Sequence, residues 1–133
     1  MATYALIHGA GGGGWYWHLL EAELRGRGHD VVAPDLPTDD DAAGLPKYAD
    51  TVVEAVGDRT GLVVVAQSYG GFTAPLVCDR LPADDVFFPA DFLRRVVQDR
   101  LAITPDEIDG GHCVALSRPR ELADRLESFR VGL

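Results

Sequence analysis

Cysteine is scarce: Cys78 and Cys113 are the only two in 133 residues. They have no metal-ligand spacing, and two thiols are too few for a disulfide framework. Both are expected to be reduced. Long hydrophobic runs are also missing. None approaches the roughly 20 apolar residues that span a bilayer. Residues 1–8 lack the basic region and long apolar stretch of a secretory signal, so a cytoplasmic location is expected. Positive charge is in deficit, with 12 Lys and Arg against 21 Asp and Glu and a net charge of -9. Phosphate backbones and anionic lipid surfaces repel such a chain, which argues against nucleic-acid and membrane partners. There is no internal repeat and no low-complexity linker.

What is present suits one soluble globular domain. The chain is 47% hydrophobic and 25% charged, which is ordinary usage and too apolar for a disordered chain. Residues 4–7 form a short apolar run that reads as a buried strand, followed by a glycine-rich loop at 9–14. Residues 15–27 read as a helix with Leu19, Leu20 and Leu24 on one face, stopped by Gly28. A second strand is expected at 30–35 and a loop at 38–44. A helix at 48–56 turns Val52, Val53 and Val56 inward. Residues 61–66, Gly-Leu-Val-Val-Val-Ala, show no alternation, which suggests burial on both faces of a parallel sheet. A helix to about Leu81 follows, with Pro75 in it. Residues 82–84 read as a polar connector, 91–101 as a helix, 102–108 as a weak strand, 110–113 as a turn and 119–129 as a helix packing Leu122, Leu126 and Phe129. The alternation predicts an α/β fold: a mostly parallel sheet of about four strands with helices on both faces. Ligands bind at the carboxyl ends of such strands. His8, Ser68 and the Gly110-Gly111-His112 turn all follow a predicted strand and should gather there.

Ala66-Gln67-Ser68-Tyr69-Gly70 stands between the strongest strand and a helix. That is the setting of a nucleophile elbow, a strained turn that lifts a serine hydroxyl above the sheet. Small residues two before and two after the serine let strand and helix backbones approach closely. A serine nucleophile needs a base, and His112, in a glycine turn after the last predicted strand, is the best candidate. His8 fits a structural role in holding the first loop, and His18 and His29 read as surface residues. Asp85 lies between serine and histidine in the order Ser, Asp, His. Free backbone N–H groups at Ala10 and Tyr69 could form an oxyanion hole.

These residues together resemble the α/β-hydrolase superfamily, most closely its small branch of plant-type methyl esterases and hydroxynitrile lyases. The resemblance is carried by Leu6-Ile7-His8-Gly9-Ala10 with Trp15, residues 30–37, Gln67-Ser68-Tyr69-Gly70-Gly71, Asp85 with Pro89, and Gly111-His112 with Ser117 and Pro119. It implies Ser68 as nucleophile, His112 as base, Asp85 as acid, and Ala10 and Tyr69 as oxyanion donors, with no metal or cofactor. The lyase members carry a hydroxyl residue where Gly9 stands and a lysine where Cys113 stands, so hydrolysis of small carboxylic esters is the implied reaction.

Family members are usually much longer. Residues 1–133 therefore read as a single shortened domain, with the cap and its adjoining strands missing between Leu81 and Asp85. Four extended residues span at most about 14 Å, against a sheet roughly 17–20 Å deep. Asp85 is thus expected to fall short of His112 unless the elbow helix unwinds early, near Pro75. Loss of the next strand would leave Val63–Val65 as an open edge, inviting a homodimer or docking of residues 102–108. Two other readings stay open. One is a catalytically inactive remnant serving as a binding or dimerising module. The other is a dinucleotide-binding domain, because Gly9-x-Gly11-x-x-Gly14 with Asp35 about 20 residues on fits that fingerprint. The crowding of Trp15, Tyr16 and Trp17 at the helix start, and the unexplained Ser68 and His112, weigh against the last.

Overall fold

The structure is a computed structural model that describes residues 1–87 (83–87 by their backbone), 108 and 111–131. The expected helix at 91–101 and all but the last residue of the strand expected at 102–108 lie outside the described residues. Four strands form one sheet: β1 (Thr3–Ile7), β2 (Asp30–Val32), β3 (Leu62–Ala66) and β4 (Ala83–Phe87). Their order is β2-β1-β3-β4 and every pairing is parallel. The helices are α1 (His18–Gly26), preceded by a 3-10 turn at Gly14–Trp17, α2 (Leu45–Val56), α3 (Gly70–Cys78), α4 (Val114–Ser117) and α5 (Pro119–Val131).

The absence of alternation in β1 and β3 follows from helices on both faces. Tyr4, Leu6, Val63 and Val65 point into a core with Trp17, Leu20, Leu24, Leu122 and Leu126. Their neighbours Ala5, Ile7, Val64 and Ala66 point the other way, against Val52, Val56, Ala74 and Val77. A strand side chain changes face at every residue, so both sets must be apolar. The topology divides the helices this way. The chain leaves β1 for β2 in one direction and returns past β1 to β3 in the other, and right-handed crossovers then put α1 on one face and α2 and α3 on the opposite one.

Several expectations are corrected. Residues 83–87 are a strand, not a connector: Leu62 pairs with Ala83, Val63 with Asp85, Val64 with Val86 and Val65 with Phe87. The strand after the elbow helix is therefore present. It covers the Val63–Val65 edge that was expected to recruit a second copy or residues 102–108. The second strand is shorter than residues 30–35, because Pro34 cannot donate to a ladder. Leu19 and Phe129 are exposed rather than inward, each lying off the stripe that Leu20, Leu24, Leu122 and Leu126 bury. Val53 is half-buried. His29 is buried, not a surface residue: its Nδ1 accepts the Ala2 N–H at 3.1 Å, and its Nε2 lies 2.8 Å from the Glu127 carboxylate. Among the described residues no helix is long and apolar enough to cross a membrane.

Candidate active site

Strand order reverses between β1 and β3, and the loops leaving their carboxyl ends diverge there. In open α/β sheets that crevice is the usual place for a ligand. The loop after β1 and the turn after β3 meet across it. A Cβ on Gly9 would come within 2.5 Å of Gln67 Oε1 and 3.0 Å of Ser68 Cβ. A side chain there would have to displace the Gln67 amide, so glycine lets the two segments touch.

Ser68 has φ of 52° and is the one described non-glycine residue in the left-handed region. Such a backbone is costly for a residue with a Cβ and persists only where its surroundings impose it. Here β3 enters the turn and α3 begins two residues after Ser68. Gly70 permits the close packing: a Cβ there would stand 2.7 Å from His8 O and 2.8 Å from Ile7 O. Ser68 and Tyr69 are exposed at the end of the sheet. The small residue two places after the serine is thus required by a contact, as the elbow pattern implies.

His8 is buried and fully engaged. Its Nε2 accepts the Leu36 N–H at 2.9 Å, so Nδ1 carries the proton and donates to Gly9 O at 2.8 Å. A ring with both nitrogens occupied holds the loop after β1 against the segment after β2 and has no lone pair for a base.

His112 lies beside the elbow. Gln67 Nε2 is 2.7 Å from His112 Nε2 and also reaches His112 O at 3.5 Å, while Tyr16 Oη donates to the same carbonyl at 3.4 Å. Ser68 and His112 are brought to one end of the sheet through residue 67. Asp85 is not: it pairs with Val63, five residues before Ser68. At 3.3 Å per residue its backbone lies about 16 Å toward the amino end of the sheet. The physical reason is that α3 descends to that end and the chain re-enters the sheet at Ala83, so Asp85 is carried in mid-strand.

Ala10 and Tyr69 line a cavity of about 240 Å³ with Leu36, Thr38, Tyr48 and Thr73. Neither the Ala10 N–H nor the Tyr69 N–H donates to another described residue. Neither Ser68 nor His112 is among the lining residues, although Tyr69 and Gly70, which follow Ser68, are. Gln67 is the residue whose role sequence reasoning missed. Its signal was a polar side chain directly after five buried aliphatic positions.

The dinucleotide fingerprint has another use. Asp35 Oδ1 accepts the Gly14 N–H at 2.6 Å, and a Cβ on Gly14 would lie 2.1 Å from Ala33 O. The carboxylate caps the 3-10 turn at the position a pyrophosphate would need, and the glycines admit the segment after β2. Among the described residues no group of His, Cys, Asp and Glu could hold a metal ion.

The chain is similar to known proteins. Residues 5–105 match the model of the alpha/beta hydrolase family. Norfluorocurarine synthase 2 from a Strychnos species is 35% identical over 89 residues, covering 59% of this chain and 34% of its own. Methylesterase 7 of Arabidopsis thaliana is 31% identical over 91 residues, covering 60% of this chain and 35% of its own. The crystal structure of polyneuridine aldehyde esterase superposes with a TM-score of 0.59 at 25% identity, over 66% of this chain and 39% of that one. The chain thus spans about a third of the length of the curated relatives it matches. The family match across most of the sequence, on a parallel sheet with a strained serine turn after β3, assigns this chain to the alpha/beta hydrolase family.

Proposed function

We propose that the protein is a serine hydrolase acting on small carboxylic esters through an acyl-enzyme on Ser68. The observation that carries this reading is Ser68 itself, held in a left-handed backbone between β3 and α3 with His112 bonded to its neighbour. Esterase relatives support it. In the proposed step Ser68 Oγ attacks the ester carbonyl carbon and its proton passes to the His112 imidazole. The carbonyl oxygen takes up the negative charge against the Ala10 and Tyr69 N–H groups. Expulsion of the alcohol, protonated by the imidazolium, leaves the acyl group on Oγ, and water then releases it.

Asp85 pairs with Val63 in mid-strand, and in this reading it does not orient His112. Loss of the orienting acid costs on the order of 10⁴ in turnover in well-studied triads, so slow catalysis is expected. The 240 Å³ cavity fits short acyl groups. The test is pre-steady-state release of nitrophenolate from nitrophenyl acetate. A burst stoichiometric with protein is expected, and Ser68→Ala should abolish it. An unchanged burst in that variant would falsify the proposal. The position of Asp85 also favours a second reading, an inert hydrolase-fold remnant, which predicts no burst in either protein.

A further inference from the structure

Building on the serine-hydrolase reading, we propose that Gln67 is a positioning residue that parks His112: its side-chain amide occupies the imidazole nitrogen that Ser68 needs, so the resting site holds its base disengaged. A carboxamide nitrogen has only protons to offer. At 2.7 Å from Gln67 Nε2, His112 Nε2 must therefore accept, and the imidazole proton sits on Nδ1. In this state neither ring nitrogen has a free lone pair.

Gln67 is the fixed partner. It is 7% exposed, its Oε1 packs against Gly9, and it follows directly on β3. His112 is exposed and sits in a turn. The ring is thus the part that moves. It must leave the amide and turn to Ser68 before Oγ can attack, because the Oγ proton needs a free lone pair on the ring. A neutral hydrogen bond of ordinary net strength holds the parked arrangement by a factor of about two to ten.

A fluorophosphonate probe reports the step. The Oγ–P bond forms, the P–F bond breaks, fluoride leaves with the electron pair, and the Oγ proton goes to His112. Imidazole tautomers are read separately by long-range proton–nitrogen NMR on the full chain. The parent is expected to show His112 as the Nδ1–H form. Gln67→Leu, of similar size but with no donor, should lower that population and label two to ten times faster. Gln67→Glu accepts instead of donating and should drive His112 to the Nε2–H form, which keeps the test available if the leucine variant folds poorly. An unchanged His112 tautomer in these variants overturns the proposal, as does slower labelling of Gln67→Leu. If no protein labels but the tautomer shifts as described, the ester-hydrolase reading fails and the Gln67–His112 arrangement stands.

Discussion

Glycine explains more of this site than any reactive residue. Gly9, Gly14 and Gly70 stand where a single methyl group would strike backbone or a packed side chain. Gly70 is the most telling, because it sits where α3 meets the end of β1 under the elbow. Gly70→Ala should push the helix off His8 O and Ile7 O and cost about 1–3 kcal/mol, the usual range for overpacking. Thermal unfolding monitored by circular dichroism checks this, and a variant as stable as the parent would contradict the close contact. The sequence announced Gly70 and Ser68 through their spacing. It could not announce the partner of Gln67, which lies 45 residues away. His29 was misjudged for the same reason: its burial comes from Ala2 and Glu127, distant in sequence and brought together only by packing.

At the scale of elements, β3 was legible because its five consecutive buried positions form an unbroken aliphatic run, and β1 because Ala5, Leu6 and Ile7 follow the buried Tyr4 without a charge. β4 was hidden because it opens Ala-Asp-Asp, and acids are depleted from strands. Among the described residues it is an outer strand of the sheet, where charge is tolerated. The attachment of α5 to the sheet has a polar component. Tyr4 Oη donates to Glu127 at 2.9 Å and His29 Nε2 lies at 2.8 Å from the same oxygen. Burial works to raise the Glu127 carboxyl. The Tyr4 and His29 bonds and the His29 and Arg130 charges outweigh it, holding the group below the ordinary 4.5. A carboxylate lowered on folding stabilises the fold above its unfolded value and loses that contribution as pH falls through the folded value. Stability should therefore decline below about pH 4.5. Glu127→Gln should lower the melting temperature at neutral pH by on the order of 5 °C and flatten the acid decline. Acid melting curves that superimpose for the two proteins would show that Glu127 carries no such linkage.

The molecule as a whole places its candidate site where strand order reverses. The alternating pattern of strands and helices already implied that end of the sheet, and the loop after β1, Ser68 and His112 do gather there. The acid does not, and the reason is topological: one short crossover returns the chain to the sheet with Asp85 in mid-strand. The account rests on Ser68 Oγ being a nucleophile in this setting. The most direct measurement is peptide mass mapping after exposure of the folded protein to a fluorophosphonate. The predicted result is one adduct, on the peptide holding Ser68, lost on heat denaturation and in His112→Ala. An adduct elsewhere, or none on Ser68, would contradict it.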